Sequence, residues 1–258
     1  MEVNTEPTDT GNLVPDILEA IRSRRFGVAY EPIIDLADGG IHGYEALARF
    51  YNRRGESLSR GPVFEGLHKN LWLFYLVELE LKRLQLAHAP PEGLLFLNLD
   101  PHVYFVAGEE HPANPFLDLL ARQKQRVVVE IMENSDISDA LLSKRLLNLL
   151  RREGISAALD DAGHPRSLLS LEVLTGVSYL KFHMSFTQRL RRNDIPALYL
   201  KLPSIARDHG IRTILEGVET EADLSRAREL EFDFAQGYLF AERGKLVRPE
   251  TAMIAGLA

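Results

Sequence analysis

Ile41-His42-Gly43-Tyr44-Glu45-Ala46-Leu47-Ala48-Arg49-Phe50 is the stretch whose reading decides the rest of the chain. It is apolar enough for a buried strand, yet it carries a carboxylate and a guanidinium. Strand side chains alternate between faces, so Glu45, Leu47 and Arg49 share one face while Tyr44, Ala46 and Ala48 share the other. Charges on one face of an apolar strand are costly to bury unless each has a partner or a ligand. A structural network of neighbours would meet that need. The recurrence of the pattern favours a common site instead, because most later strand candidates also carry one polar residue near their C-terminal end.

Outward from this stretch, residues 26–36 read as a strand, and Ala37-Asp38-Gly39-Gly40 is a tight-turn signal. So short a connection makes the two strands an antiparallel hairpin. Downstream, strands are predicted at 94–99, 126–132, 155–160, 177–182, 211–215 and 234–240. Helices are predicted at 62–88 with a break at Lys69-Asn70, at 116–125, and at 137–153 closed by Gly154. Others follow near 167–174, over 185–209 ended by Gly210, from a Thr220 cap to Leu230, and at 249–257. Eight strands, six of them separated by helices, in about 250 residues is the arithmetic of a TIM-like (β/α)8 barrel, here with an antiparallel first strand. An open doubly wound sheet would need a Gly-rich phosphate turn after its first strand. The sequence has no GxGxxG, no Walker loop and no GxSxG. Residues 1–12 read as disordered, 13–25 as a short amphipathic helix, and 13–258 as one domain.

The 258 residues are 45% hydrophobic, enough for a substantial core. A formal charge of −7 weighs against a nucleic-acid polymer as partner, which would favour a basic patch. It does not exclude a small anion, because a bound metal can reverse the local field. The absence of cysteine removes disulfides, thiolate catalysis and cysteine zinc sites. Residues 1–11 show no basic and apolar leader pattern, and no apolar run approaches the roughly 20 residues of a membrane span, so a cytoplasmic location is expected.

The polar residues in or at the ends of the later strands are Glu45, Asn98, Glu130, Asp160 with Asp161, Lys181, Glu216 and Gln236. In a barrel these ends converge on one mouth. Five carboxylates in one pocket repel, and a divalent cation resolves the repulsion. Oxygen donors favour Mg²⁺ or Mn²⁺ over Zn²⁺ or Cu²⁺. Adjacent Asp160 and Asp161 would let one carboxylate bridge two metals while the other binds one, an arrangement suited to in-line displacement at phosphorus. Lys181 would orient the attacking water or hold its proton balance. The Glu/Asp/Lys set alone also permits a different metal-dependent barrel enzyme, such as an enolising lyase.

Seven motifs carry a resemblance over about Phe26 to Phe240. They are Tyr44 to Phe50, Asn98-Leu99-Asp100-Pro101, Glu130-Ile131-Met132-Glu133-Asn134, Leu159-Asp160-Asp161, Tyr179-Leu180-Lys181, Glu216-Gly217-Val218-Glu219-Thr220 and Gln236-Gly237-Tyr238-Leu239-Phe240. In this order they resemble the EAL domain family, the cyclic di-GMP phosphodiesterases. The resemblance implies Mg²⁺- or Mn²⁺-dependent opening of cyclic di-GMP to linear pGpG at a two-metal site. It implies that Glu45, Asn98, Glu130 and Asp160 are metal ligands, that Asp161 serves the second metal, and that Glu216 is a further metal-site carboxylate. Glu45, Lys181 and Gln236 become the catalytic set, with Lys181 and Gln236 on the nucleophilic water. Arg49 becomes a phosphate contact, and Glu31, Leu47 and Gln236 face the substrate. Glu133 and Glu219 become loop supports. A homodimer and a regulatory protein partner are implied as well.

The departures from the family lie close together. Asp160-Asp161-Ala162-Gly163-His164-Pro165 stands where the family has Asp-Asp-Phe-Gly-Thr-Gly, so an aromatic anchor is lost and a proline fixes φ. Met132 replaces Thr, Lys181-Phe182-His183 replaces Lys-Ile-Asp, and Glu31 stands where Gln is common. This loop makes a non-hydrolytic cyclic di-GMP receptor the alternative reading. His183, just before a helix start at Ser185, is expected to pack or cap rather than bind metal. His164 lies beside the site.

Overall fold

The computed structural model describes residues 19–20, 22–108, 114–132, 137–164 and 170–249. β1 (Phe26–Asp35) and β2 (Ile41–Tyr51) form the expected antiparallel hairpin, with Glu31 opposite Glu45. β3 (Ser57–Leu58) is a short addition to the end of β2. β2 then pairs in parallel with β4 (Leu94–Asn98). Each of β5 (Val127–Met132), β6 (Ser156–Ala162), β7 (Tyr179–Phe182), β8 (Arg212–Leu215) and β9 (Phe234–Gln236) lies parallel to the strand before it. β9 returns antiparallel to β1, which closes eight strands into a barrel with β1 running against the rest. β10 (Lys245–Val247), absent from the predicted elements, pairs with β1 beyond the end of β9.

Local chemistry sets most boundaries. The break predicted at Lys69-Asn70 separates two helices, Arg60–His68 and Leu71–Ala87, and the Asn70 side chain accepts from Leu73 N to start the second. Thr220 and Asp223 form a reciprocal capping box on Glu221–Glu229. Pro101 does more than break β4: Asp100 accepts from His102 N and Val103 N and starts the helix Pro101–Val106. The last barrel strand stops at Gln236 rather than 240. A Cβ on Gly237 would lie 2.2 Å from Val218 O, so the chain passes close to Val218 before turning into a 3-10 helix, Tyr238–Arg243. Residues 1–12 and most of the predicted segments 13–25 and 249–257 lie outside the described residues.

Two apolar layers hold the barrel. The larger lies between strands and helices, with Val28, Ala46, Phe50, Leu97, Val129 and Leu159 among its members. The smaller is inside, where Ile33, Phe96, Val128, Ala158, Tyr179, Ile214 and Phe234 form a floor. Strand side chains return to the same face every second residue. Two residues after the floor, the same strands therefore present Asn98, Glu130, Asp160, Lys181, Glu216 and Gln236 at the C-terminal mouth.

Candidate metal and substrate site

Lys181 is fully buried at the centre of the mouth. Its Nζ lies 2.8 Å from Glu130 Oε1, 2.9 Å from Glu216 Oε1, and 3.1 Å from both Glu45 Oε2 and Asp160 Oδ1. Glu45 also accepts from Gln236 Nε2 at 2.7 Å and from Asn98 Nδ2 at 3.1 Å, and Asn98 Nδ2 reaches Glu130 Oε2 at 2.9 Å. An ammonium has three protons, too few for four carboxylates. Lys181 donates a directed hydrogen bond to Glu45, while Glu130 Oε1 and Asp160 Oδ1 lie in ion-pair range without one.

The shortage of positive charge shows in the protonation of the group. Burial pushes the Glu216 carboxyl up to about 8 against the pull of Lys181, and the Asp160 and Glu45 charges add to the rise. Asp161 is pushed up to about 6 by burial and by Asp160. Burial, then the Glu45 charge, holds Glu130 well above the usual carboxylate range. Burial also acts to raise Glu45, but Lys181 and the hydrogen bonds from Gln236 and Asn98 outweigh it and leave Glu45 low. For Lys181, burial disfavours the charge, and the four surrounding carboxylates more than compensate, so it stays an ammonium.

Two groups of carboxylate oxygens have the spacing of a cation site. Glu45, Glu130 and Asp160 form one, and Asp160, Asp161 and Glu216 the other, with ligand atoms within 4.8 Å of one another. Asp160 belongs to both. An all-oxygen set with surplus negative charge fits a hard divalent cation. Asn98 presents its amide NH₂ to this cluster rather than the carbonyl expected of a ligand; a half-turn of the amide exchanges donor for acceptor.

Arg49 and Glu31, read separately in the sequence, form one ion pair on the wall of the mouth, Nη2 to Oε1 at 2.9 Å. Leu47 lines the same cavity, of about 1140 Å³, with Phe64, Met184 and Tyr238. Glu219 is held at 3.0 Å by Arg191, whose guanidinium also grips Asp223 and Gly217 O; its support therefore goes to the segment after β8. Glu133 and Pro165 lie outside the described residues. His183 caps the helix Met184–Arg192, its Nδ1 accepting from Ser185 N at 3.1 Å. That bond places the ring proton on Nε2, which lies 4.0 Å from Asp161 Oδ1 and beyond hydrogen-bond range, so in this pose His183 is not a ligand. His164 packs edge-on against His183, ring centres 4.8 Å apart.

Ala162 is buried, and its register partner on β7 is Phe182. The aromatic ring lost at 162 therefore has a counterpart one strand over, among Phe186 and Phe232. Sequence reasoning also missed Glu78, Lys82 and Gln85 on the helix Leu71–Ala87, all three buried. Their spacing of four and three residues, alongside Phe74 and Leu81, was the available signal: one helix face both apolar and polar.

The family model described as EAL domain matches residues 15–243 of this chain. The chain belongs to the EAL domain family. The cyclic di-GMP phosphodiesterase RocR of Pseudomonas aeruginosa is 27% identical to this EAL domain over 235 residues, covering 88% of this chain and 60% of RocR. The cyclic di-GMP phosphodiesterase PdeA of Borreliella burgdorferi is 26% identical over 235 residues, covering 87% of this chain and 34% of PdeA. A Mycobacterium bovis protein is 27% identical over 236 residues, 86% of this chain and 37% of its own length. The chain thus spans between 34% and 60% of these relatives. Among solved structures, the PaMucR phosphodiesterase in complex with c-di-GMP superposes with a TM-score of 0.72 at 23% identity, covering 92% of this chain and 98% of that one. The FimX EAL domain from Pseudomonas aeruginosa, bound to c-di-GMP, gives 0.66 at 20% identity, covering 88% and 94%. These structures share the EAL barrel fold with the present chain.

Proposed function

We propose that this EAL domain hydrolyses cyclic di-GMP to linear pGpG, using Mg²⁺ or Mn²⁺. The observation that carries the reading is Asp160, common to two three-carboxylate groups at one barrel mouth. Relatives named as cyclic di-GMP phosphodiesterases and neighbours solved with c-di-GMP support it. Glu45, Glu130 and Asp160, with Asn98, would hold one ion, and Asp160, Asp161 and Glu216 the other. Such a pair of ions, when bound, stabilises the attacking and leaving oxygens of an in-line displacement.

The chain's own groups divide the remaining work. Lys181, in ion-pair range of Glu45, Glu130, Asp160 and Glu216, would orient the attacking water or hold its proton balance. Gln236 donates through Nε2 to Glu45, while its buried Oε1 has no hydrogen-bond partner among the described residues and is an acceptor for that water. Arg49 gives a phosphate two parallel donors once it leaves Glu31, and the pair is exposed enough that parting it costs about 1 kcal/mol or less. Glu31 is then an acceptor for the donor edge of a guanine, and Leu47 gives that base an apolar wall. Water adds to phosphorus as one P–O3′ bond breaks, the proton that the water loses is matched by one gained at the departing O3′, and the product keeps a 5′-phosphate and gains a free 3′-hydroxyl. The proposal extends to a homodimer in the cytoplasm under a regulatory partner, supported by the family resemblance.

Incubation with cyclic di-GMP and Mn²⁺, followed by chromatography, tests the reading. Appearance of pGpG is the expected result. Binding without product would make this EAL domain a receptor, the outcome that the altered Ala162–Pro165 segment favours. Neither binding nor turnover would overturn both.

A further inference from the structure

β2 outruns its parallel neighbour. β1 pairs along one side of β2 from Phe50 back to Ile41, whereas β4 covers the other side only at Gly43, Tyr44 and Glu45. β3 pairs again at Phe50 and Tyr51. Among the described residues, no strand pairs with Ala46 to Arg49 on that side. Leu47 and Arg49 lie in this gap and Glu45 borders it, all three on the face toward the mouth, so backbone freedom there would be transmitted directly to the site.

A side chain from the helix layer fills the gap. Gln85 Nε2 donates to Ala46 O at 2.7 Å. The backbone carbonyl of Gln85 accepts from Tyr30 Oη, also at 2.7 Å. Tyr30 is the register partner of Ala46, so one helical residue grips both strands of the hairpin at a single rung. The next rung is Glu31 with Glu45. Gln85 is only 2% exposed, where a leucine would pack without a desolvation cost. An amide at that position makes sense if the Ala46 carbonyl, which β4 leaves unpaired, must be both satisfied and held in place.

We propose that Gln85 is a positioning residue for Glu45, acting through the Ala46 carbonyl, with Tyr30 completing the clamp. The inference rests on the metal-site reading above. Glu45 must meet Asn98, Lys181 and Gln236 at 3.1, 3.1 and 2.7 Å while serving as a cation ligand, and one rung of strand backbone is all that separates it from the clamp. Groups that orient a ligand from behind typically change metal affinity 10–100-fold when lost.

The test is calorimetric titration of the whole chain with Mn²⁺, beside thermal unfolding, for Gln85→Leu, Tyr30→Phe and Leu150→Ala. Leu150 is a fully buried residue of the helix Ile137–Glu153 and serves as a control for general loss of stability. Gln85→Leu should weaken Mn²⁺ binding about 10-fold, Tyr30→Phe should weaken it less, and Leu150→Ala should lower the melting temperature with affinity unchanged. Parent-like affinity in Gln85→Leu overturns the proposal. If that variant does not fold, parent-like affinity in Tyr30→Phe does so. An equal loss in Leu150→Ala also overturns it, by reducing the effect to stability. If the parent binds no Mn²⁺, the metal-site reading itself fails, and the clamp goes with it.

Discussion

Phe96, Val128, Ala158, Tyr179, Ile214 and Phe234 line the floor of the barrel, and two residues along the same strands Asn98, Glu130, Asp160, Lys181, Glu216 and Gln236 line its mouth. Both layers point inward, the floor buried and the mouth partly open at Asn98 and Glu216. The floor is held mainly by apolar contact, to which the Tyr179 hydroxyl adds hydrogen bonds with His42 and Arg212. The mouth is held by one ammonium among four carboxylates, a balance that protons or a cation can tip. One stretch of backbone thus supplies unconditional stability and, one pleat further, stability that depends on what is bound.

The largest expected effects separate the two layers. Phe96→Ala should cost about 3–5 kcal/mol, alike at pH 5 and pH 8 and with or without Mn²⁺. Lys181→Met leaves the carboxylates without their shared counter-charge and should also cost about 3–5 kcal/mol, but only at pH 8 without metal. At pH 5, or with saturating Mn²⁺, most of that cost should vanish. Denaturant unfolding in these conditions checks both, and an identical response to Mn²⁺ in the two variants would erase the distinction.

The parent chain should show the same dependence. Glu216 titrates near 8 when folded against an ordinary value of 4.5, so the folded state binds this proton more tightly. Its contribution is complete at low pH and is lost as pH rises toward 8. Metal-free stability should therefore fall by a few kcal/mol at most as pH rises from about 5 to 8, with a slope that is reduced in Glu216→Gln and suppressed by Mn²⁺. His42, held down to about 4 by burial and Arg212, changes stability in the opposite direction and below its ordinary value of 6.5, so it leaves the upper part of this window unmasked. Thermal melts across the range supply the measurement.

Glu130→Gln sharpens the contrast further. It removes a buried carboxyl whose charged form burial and Glu45 disfavour, so the metal-free barrel should be as stable as the parent or more so at pH 8. Mn²⁺ affinity should fall by about 10-fold or more. Calorimetry showing parent affinity would remove Glu130 from the ligand set.

Much of this was legible in the sequence because strand alternation is local. Gly43 to Arg49 reads as one inward and one outward face, and the same rule put Glu130 and Asp160 inside. The Asp38-Gly39-Gly40 turn dictated the antiparallel start. Less legible were features set by neighbours distant in the chain. Gln85 looks like one more polar position on a long helix until β4 is seen to stop short of Ala46. Asp100 reads as a loop residue until Pro101 is recognised as the first residue of a helix. The loss of an aromatic at 162 looked like a defect because its counterpart, Phe182, is adjacent only across the sheet.

That last point gives the smallest predicted effect. Ala162→Phe alone should overpack the space beside Phe182 and destabilise by about 1–3 kcal/mol. Ala162→Phe with Phe182→Ile restores the family's arrangement of volumes and should recover most of the loss. A double-mutant cycle on unfolding free energy checks the coupling; additive effects would mean that the two positions do not share one space.

The hydrogen bond from Gln236 to Glu45 joins residues 191 apart. At roughly 5–20 residues per second, a ribosome needs about 10–40 s to travel between them. During that interval the hairpin of β1 and β2 has neither β9 nor β10 on its outer edge, and two strands alone are marginal in water. The strand whose outer edge is completed last is β1, the hairpin partner of the strand that carries the motif. Anything that slows synthesis between Glu45 and Gln236 lengthens the exposure of an unpaired edge, and aggregation of nascent chains should track that delay.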